Sequence, residues 1–430
     1  MTGWGETAWR GAGRRALRFR TIPLLCAAAA LVAATPARRE PEAVGRPKIR
    51  AVTAFLHLDR ARYGEQVQSA LDFLDRAKSA FQKEGYVVET IRITTQPFPD
   101  YTRDLPAEQA LAFLRAYDAL AAKDGFDASI GPAMRSDADD PHQADLLARA
   151  LAGAKTLEGS VIIGGEDGIH WKSIRAASSV IRYLEANTAH SQGNFNFTAS
   201  SLVPSGTPFY PASYFTGQGR QFALALESAN TVAQALDSAA SADQAEQALR
   251  TSLGVHARSI ERVAEALAKE TGWDYGGIDL SPAPLKTISI AGAIEGYLHA
   301  PMGSSGTMTA AALITRALRS IPVKQAGYSG LMLPVLEDSV LAERWSEGRL
   351  SMDSLLAYSA VCGTGLDTIP LPGNVTEQEL GRILADVASL STKWHKPLAA
   401  RLLPVAGKKP GERTEFSDPF LVNARIQPLR

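Results

Sequence analysis

The chain has 430 residues, a length that allows two or three domains. Hydrophobic residues make up 45% and charged residues 21%, which excludes a disordered chain, a collagen-like fibre and a polytopic membrane protein. The 45 basic and 45 acidic residues cancel, so no general attraction to nucleic acid or to an anionic membrane is expected. Only Cys26 and Cys362 are cysteines, which excludes a disulfide scaffold and a cysteine-based zinc or iron–sulfur site.

Residues 1–37 have the order of an export signal. Residues 9–20 carry arginines and no acidic residue, residues 21–34 are apolar and uncharged, and small residues follow at 35–37. The apolar run is too short to cross a membrane comfortably as a helix. We therefore predict that the mature chain begins near Arg38 and lies in the periplasm or outside the cell. The alternative is a start codon that is not used and a cytoplasmic protein.

Beyond a linker predicted at residues 38–47, strand and helix patterns alternate along the chain. Strands are predicted at 49–56, 86–93, 126–130, 160–163, 194–200, 221–227 and 285–290. Helices are predicted at 63–84, 106–124, 169–185, 231–272 with a break at Gly254, 309–319, 336–348 and 376–390. This alternation indicates an α/β fold, and the absence of a composition shift indicates one large domain over residues 48–430.

A glycine-rich loop is the first candidate site, and it is predicted to follow a strand and to precede the helix at 309–319. Free backbone N–H groups at a helix N-terminus suit a phosphate or a carboxylate. The alternative is a tight turn with Ser/Thr capping. The candidate ligand-binding residues are Gly303, Ser304, Ser305, Gly306 and Thr307.

The second candidate is the segment Gly327, Tyr328 and Ser329, followed by Gly330. Glycines around a Tyr-Ser pair indicate a backbone that bends sharply or closely approaches another group. Further on, Asp338 is suited to the N-terminus of the next helix. Glu337 could instead face a pocket as a base.

The third candidate surrounds Cys362, which is predicted to follow a buried strand-like run. Gly363, Thr364 and Gly365 offer N–H donors that can stabilise a thiolate or an oxyanion, and Asp367 can orient a neighbouring donor. The alternative is a cysteine that only fills space in the core, as most single cysteines do.

The histidines show no spacing of metal ligands, so no metal site is predicted, and the sequence names no cofactor. The expected partner is a small-molecule ligand. Nucleic acid is not expected, and membrane contact is expected only through the export signal. Assembly into a homo-oligomer is left open.

Two long motifs, residues 327–338 and 358–373, resemble the signature of an uncharacterised bacterial and archaeal family, the domain of unknown function seven hundred and eleven. The similarity runs from about Lys48 to the region after Leu390. This resemblance implies an α/β barrel similar to that of pyruvate formate-lyase and the anaerobic ribonucleotide reductases, with Cys362 on a finger loop. It implies no established activity, because fold alone does not give function. A glycyl radical is not expected, since nothing after Leu390 resembles a radical loop.

Two classes of function remain. The first is an enzyme acting on a small anionic metabolite, with the Gly303 loop holding the anion and Cys362 as nucleophile or proton donor. The second is a non-catalytic small-ligand-binding protein on the same barrel. In either case we predict that Cys362 lies at the base of a pocket with the Gly303 loop and Tyr328. The enzyme also requires a thiol with a lowered pKa.

Overall fold

The computed structural model describes residues 45–237 and 239–429, so the predicted export signal lies outside the described residues. Within these ranges ten strands form one sheet. The strands are β1 (Lys48–Phe55), β2 (Val88–Thr94), β3 (Asp127–Pro132), β4 (Leu157–Gly165), β5 (Gly168–Ile169), β6 (Phe197–Ser201), β7 (Gln221–Glu227), β8 (Asp274–Ala283), β9 (Gly365–Pro372) and β10 (Leu398–Val405).

The strands lie in the order β8-β7-β1-β2-β3-β4-β6-β10-β9, and the short β5 pairs with β4. Neighbours along β1, β2, β3, β4 and β6 are parallel, as are the outer pairs β7–β8 and β9–β10. The pairs β1–β7 and β6–β10 are antiparallel. The sheet is therefore a parallel block with an antiparallel junction on each side.

Helices connect most of the strands and cover the sheet. They are α1 (Tyr63–Lys83), α2 (Pro99–Thr102), α3 (Ala107–Asp124), α4 (His142–Ala152), α5 (Trp171–Asn187), α6 (Ala229–Asp237), α7 (Ala242–Thr271), α8 (Ile290–Leu298), α9 (Thr307–Arg319), α10 (Ser339–Ser346), α11 (Met352–Ser359) and α12 (Glu377–Trp394). In α1, Val67, Leu71, Leu74 and Phe81 form a buried stripe of the kind that packs a helix onto a core. The predicted α/β class is confirmed. No helix in the described ranges is long and apolar enough to cross a membrane.

Two predicted elements are wrong. The helical stretch 231–272 is not broken at Gly254, because α7 runs through that residue and the break falls before Ser241, the N-cap of α7. The predicted strand 285–290 is a turn closed by a bridge between Leu285 and Ile288, and α8 begins at Ile290. A glycine inside a helix costs only about 1 kcal/mol, which the packing of the long helix α7 offsets.

The strand β8 was missed because its sequence has the composition of a turn. It contains Gly276 and Gly277, and residue 277 has φ of +128°. A Cβ on Gly277 would lie 2.8 Å from the carbonyl oxygen of Lys324. Glycine is therefore required because a neighbouring segment passes very close, one of the reasons for which strands contain glycine.

That neighbouring segment, residues 324–338, runs between the edge strands β8 and β9. It makes one bridge from Gln325 to Ile278 of β8 and another from Pro334 to Asp367 of β9. No ladder joins β8 directly to β9 in the part of the chain that the structure describes. The segment thus links the two edges of the sheet.

Candidate functional site

A cavity of about 180 Å³ is lined by residues of several strands of the sheet. Its lining includes side chains from β1, β2 and β4, and also from β9 and β10 at the far end of the strand order. Because strands so far apart in the order face one cavity, the sheet curves around it. The charged lining residues are Arg50, Arg92, Lys155, Arg401, Asp127, Glu158, Glu337, Asp367 and Asp418.

An ion-pair network holds two of the arginines. Arg401 donates from Nε to Asp367 Oδ1 at 2.5 Å and also donates to Glu337. Glu337 in turn lies 3.6 Å from Nη2 of Arg50. Since both guanidinium groups are occupied by carboxylates, their main effect is to fix the walls of the cavity.

Arg50 also contacts two glutamates outside this network, the buried Glu227 and the partly exposed Glu89. Nη1 of Arg50 donates to Glu227 Oε2 at 3.1 Å and to Glu89 Oε2 at 3.3 Å. Burial and the neighbouring Glu89 carboxyl raise the pKa of Glu227 to about 8. Glu227 therefore takes up a proton more readily than an exposed glutamate does.

Arg92 on β2 differs from these arginines because its terminal nitrogens are free. Its Nε donates to Thr90 Oγ1 at 3.1 Å, and the guanidinium lies over the ring of Tyr210 at 4.6 Å. Nη1 and Nη2 have no hydrogen-bond partner among the described residues, although Arg92 is only 8% exposed. Such a planar fork fits a carboxylate or phosphate in a bidentate manner.

Two further polar groups of the cavity have no partner in the described ranges. The hydroxyl of Thr364 is buried without a hydrogen bond. The carboxyl of Glu158 on β4 makes no hydrogen bond, and burial, opposed by Arg92 and assisted by Asp127, raises its pKa to about 8. A carboxyl with a pKa near neutrality can both donate and accept a proton.

Four of the residues predicted from the sequence line this cavity, namely Tyr328, Glu337, Thr364 and Asp367. Asp338 caps α10, as expected, by accepting from the amides of Val340 and Leu341. Glu337 faces the cavity but is bound to Arg401, so it is not a free base.

The Gly303 loop does not line the cavity. It follows helix α8 and not a strand, which corrects the predicted context. The amide of Gly303 donates to Thr307 Oγ1 at 3.1 Å, Ser304 to Pro301 O at 3.1 Å, and Thr307 to Ser304 O at 3.2 Å. These three amides are already bonded within the loop, which is a tight turn, although its N-cap residue Gly306 makes no side-chain cap hydrogen bond.

Cys362 is also absent from the cavity lining. The thiol is 1% exposed and belongs to the main hydrophobic core. Burial raises the pKa of Cys362, the opposite of the change that a nucleophilic thiolate requires, although Lys396 and the amides of Thr364 and Gly363 oppose the rise. The run before it is helix α11 and not a strand. The predicted convergence of Cys362, the Gly303 loop and Tyr328 on one pocket is therefore not observed.

The glycines of the second and third segments bring two backbones together. A Cβ on Gly330 would lie 2.7 Å from Cα of Gly363. Gly327 has φ of +61°, and the buried carboxylate of Asp279 accepts from the amides of Tyr328 at 2.7 Å and Ser329 at 3.0 Å. These contacts fix the segment that carries Tyr328 into the cavity wall.

Sequence reasoning missed Arg50, Arg92, Glu158 and Arg401. Each is a charged residue inside a strand that otherwise consists largely of apolar or small residues. A charge in such a strand needs a partner or a polar cavity, so this pattern was an available signal. Within the described ranges, no group of three or more His, Cys, Asp or Glu side chains could hold a metal ion.

The fold and cavity define an α/β protein whose curved sheet encloses a charged pocket. The family model described as "Uncharacterised ACR (DUF711)" matches residues 44–417, and the chain belongs to this family. The resemblance drawn from the two motifs is thus confirmed.

Relatives in other organisms extend this match. A UPF0210 protein of Pyrobaculum arsenaticum is 30% identical over 353 residues, which cover 78% of each chain. The UPF0210 protein MK1214 of Methanopyrus kandleri is 28% identical over 354 residues, covering 79% of this chain and 74% of the relative. Among solved structures, the anaerobic ribonucleotide reductase from Thermotoga maritima in complex with dATP and CTP is similar with a TM-score of 0.38 and 10% identity, covering 82% of this chain and 75% of the reductase.

Proposed function

We propose that the protein is an enzyme that acts on a small anionic metabolite in the cavity of the sheet. In this proposal Arg92 holds the anionic group, and Glu158 acts as the general acid and base. The observation that carries the proposal is the free carboxyl of Glu158, whose pKa is raised to about 8 beside a guanidinium with free terminal nitrogens.

The two groups suit one another chemically. Arg92 presents a planar pair of donors that a carboxylate or phosphate can accept from. An anion bound there adds negative charge near Glu158, which keeps that carboxyl protonated and able to donate a hydrogen bond or a proton. The hydroxyl of Thr364 offers a third polar contact to the same ligand.

The size of the cavity limits the ligand. A volume of about 180 Å³ slightly exceeds the ~150 Å³ apolar cavity that binds benzene in an engineered protein. The proposed substrate is thus a metabolite of that scale and not a nucleotide or a peptide.

Glu337 and Asp367 take positioning roles in this proposal, because both are bound to Arg401 and shape the wall. Cys362 supports an enzymatic function less than Glu158 does, since its thiol is buried in the core. Its role as nucleophile stays a prediction, and so does anion binding at the Gly303 loop.

A non-catalytic ligand-binding protein is the second candidate. It is favoured by the ion pairs of Arg50 and Arg401, because structural charge networks also perturb pKa values without catalysis. Such a protein would use Arg92 and Thr364 to hold its ligand and would leave the ligand unchanged.

The experiment that separates these candidates is incubation with a mixture of small carboxylates and phosphate esters in D₂O. Binding is followed by saturation-transfer NMR, and turnover by deuterium incorporation or loss of a component. We expect the wild type to bind and alter one component, Glu158→Gln to bind it without altering it, and Arg92→Lys to lose binding because lysine lacks the planar fork.

The control is Glu265→Gln, a change of the same chemistry at an exposed position of α7. A component that the wild type binds and leaves unaltered would favour the binding protein. If no component binds to the wild type, the anion-binding cavity is rejected.

We also propose that residues 1–37 direct export, with a cytoplasmic protein as the alternative. The support is the order of basic, apolar and small residues in the sequence.

A further inference from the structure

The last wall of the cavity is a loop near the C-terminus, residues 414–424. Its two ends are tied together, because the amide of Thr414 donates to Ala424 O at 3.0 Å and the hydroxyl of Thr414 donates to Asn423 Oδ1 at 2.8 Å. Phe416 and Leu421 are buried, which anchors the loop in the core. A loop with closed ends and its own packed side chains holds a defined shape.

The tip of this loop faces the cavity. Asp418 and Phe420 both line it, and the Asp418 carboxylate accepts from the amide of Phe420 at 2.8 Å. The Phe420 ring lies 5.0 Å from the guanidinium of Arg50. Arg50 is held on its other sides by Glu227, Glu89 and Glu337, so the ring rests on a fixed support.

The amide of Val422, just after the tip, donates to Leu336 O at 2.7 Å. This bond joins the loop to the segment that carries Glu337. The family match covers residues 44–417, so the tip of the loop lies outside it. The family assignment therefore does not describe the tip of this loop.

We infer that Phe420 is a specificity-determining residue that closes the cavity over Arg50 and sets the largest ligand that fits. This inference rests on the proposed function of the cavity. A rigid aromatic ring in a small pocket excludes larger ligands sterically, whereas the polar groups on β2 and β4 select their charge.

The first test measures how readily a reagent reaches Arg50, and it needs no ligand. Phenylglyoxal, which modifies exposed arginines, is reacted with the full chain, and modification of Arg50 is followed by peptide mass spectrometry. We expect a severalfold faster reaction of Arg50 in Phe420→Ala and a rate near that of the wild type in Phe420→Trp. The control Trp394→Ala removes a side chain that is already exposed on α12 and should leave the rate unchanged.

The second test measures the size of the largest ligand that the cavity accepts. Straight-chain monocarboxylates, from acetate upward, are titrated by calorimetry into the wild type and Phe420→Ala. We expect the longest chain that binds to be longer in Phe420→Ala, because removal of the ring enlarges the cavity. Phe420→Leu keeps part of the bulk, serves as a folded substitute if Phe420→Ala is unstable, and should give an intermediate limit.

Each pattern of results decides one point. An unchanged Arg50 rate in Phe420→Ala, or in Phe420→Leu if Phe420→Ala is unstable and Phe420→Leu replaces it in the first test, overturns the inference, whether or not carboxylates bind. Carboxylates that bind with the same length limit in the wild type and both variants also overturn it and leave the proposed function intact. A faster Arg50 reaction without binding of any carboxylate to the wild type supports closure by Phe420 and counts against the proposed function.

Discussion

Glu158 gives the sharpest test of the cavity, because its raised pKa has a consequence for stability that requires no substrate. Burial raises the pKa of this carboxyl from 4.5 to about 8. The folded protein therefore keeps a proton that the unfolded chain releases above pH 4.5. By linkage, this stabilises the fold at low pH, and the stabilisation is lost as the pH rises through the folded pKa.

The size of the effect follows from the shift. Each pKa unit corresponds to about 1.4 kcal/mol, so a rise from 4.5 to about 8 corresponds to at most about 5 kcal/mol. Water entering the cavity and reorientation of neighbouring groups reduce the cost of ionising such a site, so we expect a loss of about 2–4 kcal/mol. Glu158→Gln cannot ionise and should not show this loss.

The assay is urea unfolding of the wild type, Glu158→Gln and the exposed control Glu265→Gln at several pH values between the two pKa limits. As the pH rises, we expect the free energy of unfolding of the wild type to fall relative to that of Glu158→Gln. The free energy of unfolding of the control should change with pH in the same way as that of the wild type. Glu227 and Asp279, whose pKa values are also raised by burial, to about 8 and about 6, titrate in all three proteins and cancel in the differences.

Parallel curves for Glu158→Gln and the wild type would refute the reasoning. They would mean that Glu158 has an ordinary pKa in the folded protein, and its role as general acid and base would be rejected with it.

Three further predictions concern the other candidate sites. Cys362→Ser should lower the free energy of unfolding by about 1–3 kcal/mol and leave cavity ligand binding unchanged, because it puts a hydroxyl into the core; unchanged stability with lost turnover would restore the catalytic cysteine. Gly306→Asp should be destabilised by about 1–2 kcal/mol in thermal unfolding, since residue 306 has φ of +101°, and should still bind the cavity ligand; loss of ligand binding at normal stability would support an anion site at the Gly303 loop. N-terminal sequencing of the native protein should begin near Arg38, and recovery of Met1 from cytosolic protein would contradict export.

The sequence predicted those elements whose local pattern and tertiary environment agree. Residues 221–227 were predicted as a strand from their apolar run, and β7 has these bounds because it is buried between β1 and β8. In contrast, β9 contains Pro370 and Pro372, which usually argue against a strand. The two prolines are tolerated because β9 lies at the end of the strand order, and an edge strand has fewer ladder hydrogen bonds to lose.

The candidate site could be predicted only in part, for a related reason. Glycine-rich segments attract attention because glycine permits both phosphate loops and close backbone contacts, and the sequence alone does not distinguish these uses. Here Gly330 and Gly363 serve close packing, and the Gly303 loop is a turn. The terminal nitrogens of Arg92 and the carboxyl of Glu158, which have no hydrogen-bond partner among the described residues, belong to strands that lie far apart in the sequence.

What brings these charges together is the curvature of the sheet, which no local pattern encodes. An arginine on β2 and a glutamate on β4 are separated by one strand, and the carboxylate of Asp367 on β9 is much more distant in the strand order. Only a sheet that bends until its ends approach one another places all of them around one cavity. In a strand with one polar and one apolar face, a charge would be solvated. Here a charge in a mostly apolar strand therefore indicates an enclosed polar interior, and for this chain that signal predicts the site better than its glycines do.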